Sequence, residues 1–182
     1  MAGSIGRRVN SALTELIRKD YESSLIHYFP ALDNTASKRY PNLGVGDRIR
    51  EFIKKEEALI SFLAVGEIIS GNLVNGVTFP QAMYKFGRTY IMHEGELSER
   101  IKINEKGWLF IGHDIWELPY QYLWGMCFAV ILAEENKDEK AENNLTITIH
   151  SHEFELNSLW GKRNETLEFL ADKLNFHAIR SI

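Results

Sequence analysis

The apolar residues of this chain change their spacing part-way along it, and that change limits what the chain can fold into. Up to Gly95 they recur at helical spacing; from Leu97 onward they alternate with polar residues. Val9, Leu13, Leu16 and Ile17 lie on one helical face that Asn10 or Ser11 can cap. Phe29-Pro30 is expected to close this region, because the residue before a proline is pushed out of helical angles, and a loop from Asp33 to Gly46 follows. Asp47 can cap a second helix that stacks Ile49, Phe52, Ile53, Ile60 and Leu63. Gly66, Gly71 and Gly76 then punctuate a stretch that reads as extended. Thr78-Phe79-Pro80-Gln81 is a capping-box pattern, and the helix behind it carries Phe79, Ala82, Met83, Phe86 and Tyr90 on one face before Gly95 stops it.

In the second half, Ile101 and Ile103 alternate with charged residues. Asn104 to Gly107 and Gly112-His113-Asp114 turn the chain into Trp108 to Ile111 and Ile115 to Leu118, a three-strand meander. Pro119 suits the first turn of a helix, and Tyr122 to Ala133 is apolar nearly all round, so that element is expected at the centre. Leu145 to His150 alternates as a half-buried strand with Phe154 to Leu156 as its partner, and Asn164 can cap a last helix. The expectation is one α+β domain spanning residues 1–182: N-terminal helices packed on an antiparallel sheet of about five strands, with a buried apolar helix and a C-terminal helix. Residues 1–95 read as mainly helical and residues 96–182 as sheet-containing.

Composition narrows the function. The chain is 45% hydrophobic and 25% charged, which is ordinary for a globular protein and argues against disorder. Its one cysteine, Cys127, lies in the apolar run Leu123 to Ala133 and reads as a small core hydrophobe. That run is too short to span a bilayer, and Met1 to Arg8 has no apolar stretch behind it, so a cytoplasmic location is expected. Charge is uneven: residues 1–91 hold 12 Lys/Arg and 9 Asp/Glu, whereas residues 92–182 hold 9 and 16. Nucleic acid is therefore not expected as the partner, since phosphate-binding surfaces carry a basic excess. A membrane is not expected either.

The chain has no phosphate loop, zinc helix, nucleophile elbow or Cys-x-x-Cys pair, and no metal or cofactor is expected. The densest polar cluster is His93, Glu94 and Glu96 with His113 and Asp114 nearby, residue types able to share acid–base work or hold a divalent ion. Its spacing matches no ligand set. His93 also falls on the stripe of Phe86 and Tyr90, where it reads as a core-edge histidine. Asp20, Glu56 and His93 each interrupt an apolar stripe, and they would mark a polar pocket if the helices brought them together. His150 and His152 would share one strand face, which reads more simply as the solvated side carrying Thr146 and Thr148.

All four tryptophans, Trp108, Trp116, Trp124 and Trp160, lie in the acidic half. Trp108 and Trp116 occupy sheet positions, and Trp160, beside Gly161-Lys162-Arg163, is expected to be exposed. Trp116, Trp160, Glu117 and Arg100 are the candidate partner-binding residues. The reading favoured is a non-catalytic protein-binding module of inhibitor, immunity or regulatory type, acting on another, basic protein through its acidic, aromatic-rich C-terminal half. The alternative is a small hydrolase or ligand-processing enzyme built on His93, Glu94, Glu96, His113 and Asp114, with or without a metal. Oligomeric state is not encoded legibly, although an exposed strand such as Leu145 to His150 can pair with a copy of itself.

Overall fold

The stripe of Val9, Leu13 and Leu16 extends back to Ile5, and the helix it forms, α1 (Ser4–Ile17), buries all four side chains. The fold is that of a computed structural model describing residues 2–182. α1 starts at Ser4 rather than at an Asn10 or Ser11 cap, because Glu139 reaches across from the far half of the chain and accepts the Gly6 N–H at 2.9 Å. Lys19, in the left-handed region at φ 63°, turns the chain into α2 (Tyr21–Arg39), whose cap is Asp20: its carboxylate accepts the Ser23 N–H at 3.0 Å. Pro30 does not end α2. Leu25, Tyr28, Phe29, Leu32 and Ala36 keep one buried face running across it, and packing against α1 outweighs the roughly 3 kcal/mol an interior proline costs. The expected loop from Asp33 to Gly46 shrinks to the short link before α3 (Val45–Val65).

Gly44 occupies the cap position of α3, and Asp47 sits in the first turn, paired with Arg50 at 2.6 Å. Ile49, Phe52, Ile53 and Ile60 face inward. After α3, Asn75 and Gly76 both take positive φ (47° and 78°) and close a small antiparallel hairpin of β1 (Leu73–Val74) and β2 (Val77–Thr78). Thr78 then forms the expected capping box with Gln81 at the head of α4 (Phe79–Ala82). The rod continues as a π-helical turn, Met83–Arg88, and α5 (Thr89–Glu94). The Phe86 carbonyl accepts the Ser98 N–H at 3.2 Å, which docks the approach to the first sheet strand against this turn.

One antiparallel sheet of five strands does not form. Among the described residues there are instead three small sheets of two, three and two strands. In the middle one, β4 (Phe110–Gly112) and β5 (Ile115–Pro119) pair antiparallel around His113 and Asp114, both at positive φ. β3 (Ile101–Asn104), however, lies parallel to β5 on its other side, giving the order β3-β5-β4 and no meander. Asn104 sets this up: its Oδ1 accepts the Lys106 N–H and its Nδ2 donates to the Trp108 carbonyl, curling the chain away from β3. β5 takes the centre because it carries the buried Trp116 and Leu118. Pro119 ends β5 rather than opening the next helix.

α6 (Gln121–Leu132) is buried almost all round and packs against α1, α2 and α3. It meets α3 at Gly125, where a methyl group would lie 2.6 Å from the Ile60 carbonyl oxygen. β6 (Thr146–Ile149) and β7 (His152–Glu155) form the last hairpin, with Ile147 and Ile149 inward and Thr146 and Thr148 outward. Trp160 is buried, at 4% exposure, with its Nε1–H donating to Asn157 Oδ1 at 3.2 Å. The neighbouring Gly161 N–H bonds the Ile131 carbonyl and draws this turn onto α6. Trp108 is the exposed tryptophan instead, at 42%. α7 (Arg163–Leu174) begins with Lys162, not Asn164, at its cap position. No helix among the described residues is long and apolar enough to cross a membrane.

Candidate functional site

Among the described residues β6 has a strand partner on one side only. The Leu156 N–H bonds the Leu145 carbonyl at 2.8 Å, so in this register Leu145, Ile147 and Ile149 direct their backbone groups at β7. The N–H and C=O of Thr146 and Thr148 consequently point the other way, along an open edge. The edge borders a groove of about 390 Å³ whose opposite wall holds Ile17, Leu63, Tyr120, Trp124 and Phe128. Ile17, the last residue of α1, is 61% exposed there. Gln121 also lines the groove, and its Oε1 is buried with no hydrogen-bond partner.

Two features hold this edge in place. His150, in the hairpin turn, has Nε2 2.8 Å from the Phe62 carbonyl oxygen and its ring 4.8 Å from the Phe62 ring, pinning the turn to α3. On the solvated face, Thr146 lies opposite Glu155 and Thr148 opposite Glu153. Glu155 accepts from Thr146 Oγ1 and Asn144 Nδ2, both neutral donors, and no basic side chain among the described residues forms an ion pair with Glu153 or Glu155.

A second centre surrounds Glu56, which is 2% exposed. Arg39 Nη1 donates to Glu56 Oε1 at 2.6 Å and Arg163 Nε to Oε2 at 3.1 Å. Arg39 also grips Glu135 with Nε (2.8 Å) and Nη2 (3.1 Å), and its guanidinium lies 4.4 Å from the centre of the Phe52 ring. Arg163 Nη1 donates to the Ile182 carbonyl at 2.7 Å. Burial alone would lower the Arg39 pKa; the bonds to Glu135 and Glu56 outweigh it and hold the group more firmly protonated than usual. Burial would likewise raise Glu135, but Arg39 keeps it below the ordinary carboxylate range. Both oxygens of Glu56 are occupied by arginine, so the centre ties α2, α3 and α7 together.

The candidates from sequence scatter. Asp20 is exposed at the cap of α2, and His93 is exposed at the end of α5, so neither meets Glu56. His93 leaves the stripe of Phe86 and Tyr90 because the π-helical turn inserts extra backbone between the stripe's start and its end. Glu94 and Glu96 are exposed beside it. His113 stacks on Phe110 with ring centres 6.3 Å apart, and Asp114 accepts from Asn75 Nδ2 across the hairpin turns. Neither reaches the His93 group by a hydrogen bond or ion pair, and among the described residues no three His, Cys, Asp or Glu side chains are grouped to hold a metal. Trp116 is buried under Phe79, Glu117 is half-buried, and Arg100 is exposed over the Phe86 ring. His150 occupies a turn and His152 packs its edge on Phe169, so they do not form a pair. Cys127 is buried, and burial pushes its thiol up to about 12, far from a reactive thiolate.

Gln121, Trp124 and Ile17 were not singled out by sequence for this site. The one signal was the alternating strand Leu145 to His150, whose edge they face. The sequence profile of the family described as Rv1289 matches residues 4–180. The chain belongs to the Rv1289 family. The match takes in the groove, the β6 edge and the Glu56 centre. The chain is similar to the uncharacterized protein Rv1289 of Mycobacterium tuberculosis (strain ATCC 25618 / H37Rv), with 25% identity over 191 residues covering 93% of this chain and 89% of that protein. The uncharacterized protein Mb1320 of Mycobacterium bovis gives the same figures. No solved structure matches this Rv1289-family chain.

Proposed function

We propose that this chain is a non-catalytic protein-binding module that takes an extended segment of a basic partner along the open edge of β6. The observation that carries this reading is the pairing of unspent backbone groups at Thr146 and Thr148 with an apolar groove directly beside them. Strand addition draws its affinity from main-chain hydrogen bonds and its selectivity from pockets that receive alternate side chains. Here one face of an added strand meets Ile17, Trp124 and Phe128, and the other lies beside the face that carries Glu153 and Glu155. A segment alternating apolar and basic residues complements both.

The test is binding of short extended peptides that alternate apolar with basic residues, set against peptides alternating apolar with acidic ones. The basic set is expected to bind and to shift the Thr146 and Thr148 amide resonances. Thr148→Pro, which removes an outward N–H without touching the β7 ladder, is expected to abolish that binding while leaving the circular dichroism unchanged. Shifts confined to other surfaces, or equal binding by acidic peptides, would overturn the reading. So would a self-associated chain that Thr148→Pro converts to monomer.

A further inference from the structure

Asn75 and Gly76, the turn between β1 and β2, are both exposed. Every other asparagine in the chain precedes a residue that has a side chain; Asn75 alone precedes glycine. The difference is chemical. An asparagine side chain ends in an electrophilic carbon, Cγ, and the nearest nucleophile is the backbone nitrogen of the next residue. A following Cβ shields that nitrogen, and glycine leaves it bare. Nothing lies within 4 Å of where a side chain on Gly76 would begin, and the Gly76 N–H has no backbone acceptor among the described residues.

The hairpin that holds this turn has a ladder of two pairs, Leu73 with Thr78 and Val74 with Val77. A ladder so short opens locally at little cost, which gives the turn access to backbone angles outside its folded form. Asn75 itself ties the hairpin to the β4–β5 turn, because its Nδ2 donates to Asp114 Oδ1.

We propose that Asn75 is a self-modifying site, at which loss of the side-chain amide through Gly76 turns a hydrogen-bonded latch into an open one. The Gly76 nitrogen gives its proton to solvent and bonds to Asn75 Cγ. The Cγ–Nδ2 bond then breaks, and Nδ2 takes up a proton and leaves as ammonia, so the two residues share a cyclic imide. Water opens the ring. Addition at Cγ leaves an aspartate; addition at the main-chain carbonyl carbon leaves an isoaspartate, whose backbone runs through Cγ. The sum is one water consumed and one ammonia released, with no oxidant, reductant or cofactor. Both products remove the donor to Asp114, and the first sets a carboxylate against the Asp114 carboxylate, where like charges disfavour each other. The reaction runs once and in one direction, so the fraction of unlatched chains records the time since synthesis. The site lies apart from the β6 groove and does not depend on it.

The experiment is incubation of the whole chain in warm neutral buffer, sampled over weeks by peptide mapping and mass spectrometry, with isoaspartate assayed by enzymatic methylation. Residue 75 is expected to convert ahead of every other asparagine and to give both products, whereas in Gly76→Ala chains it is expected to stay intact over the same period. Amide hydrogen exchange then reads the latch. Asn75→Asp is expected to speed exchange across the β1–β2 ladder by roughly tenfold, the worth of one hydrogen bond to a charged group, with the α6 amides unchanged. Earlier conversion of another asparagine would overturn the inference, as would conversion of Gly76→Ala chains at the wild-type rate. So would ladder exchange left unchanged by Asn75→Asp, or raised equally in α6.

Discussion

Arg39 Nη1 lies 2.6 Å from Glu56 Oε1, joining the last turn of α2 to the middle of α3 through one buried ion pair. The bond matters less for its own strength than for what its loss would strand. With Glu56 gone, Arg39 keeps Glu135, but Arg163 has only the Ile182 carbonyl, and two guanidinium groups crowd a site built for a carboxylate.

Glu56→Ala is therefore expected to destabilise the fold by about 3–5 kcal/mol, the range for removing one partner of a buried pair. Replacing Arg39, Glu56 and Arg163 together by Met, Leu and Met is expected to recover much of that loss, since only the partly exposed Glu135 is then left without its arginine. Urea unfolding followed by circular dichroism separates the two outcomes. Equal destabilisation by the single and triple replacements would show that shape, not charge, governs the site.

Stability against pH should fall on both sides for different reasons. Glu57 titrates above its ordinary value because burial disfavours its charge, so the folded state holds that proton longer than the unfolded chain. Stability from this group is lost as pH rises from the ordinary carboxylate range through the raised value. Glu135 titrates low because Arg39 outweighs its burial, and its contribution is lost as pH falls through that lowered value. Thermal melts across pH are expected to show Glu57→Gln flattening the upper limb and Glu135→Gln flattening the acid limb.

At Gly125, an added methyl group would press on the Ile60 carbonyl 2.6 Å away, and the obstacle is backbone, which cannot swing aside. Gly125→Ala gains helix propensity of about 1 kcal/mol, yet overpacking of about 1–3 kcal/mol or more is expected to dominate. A lower urea midpoint with an unchanged slope is the expected result, and a higher midpoint would mean that α3 and α6 can slide apart without penalty.

Elements whose pattern is local were legible in the sequence. The alternation from Leu145 to His150 gave β6, the all-apolar run gave α6, and Thr78 with Gln81 gave the capping box. What escaped depends on partners far along the chain or on a break in period. Pro30 reads as a stop, and only packing against α1 overrides it. The π-helical turn carries no compositional mark, so the wheel that placed His93 inward was sound through Phe86 and failed only at its far end. Parallel pairing of β3 with β5 is invisible to an alternation that looks the same in either direction. Glu56 stood out as a charge in an apolar stripe, but Arg39 and Arg163 lie 17 and 107 positions away with nothing nearby to nominate them. The groove was half legible: its strand was visible, whereas Ile17, Gln121 and Trp124 reach it only through the fold.

The bond from Gly6 N–H to Glu139 spans 133 positions. On a growing chain, α1 leaves the ribosome long before its acceptor has been made, so the end of this helix is not finished until the far half of the chain arrives. Loops that wide close slowly, and until this one does, the α1–α2 pair is a helical hairpin with a frayed tip.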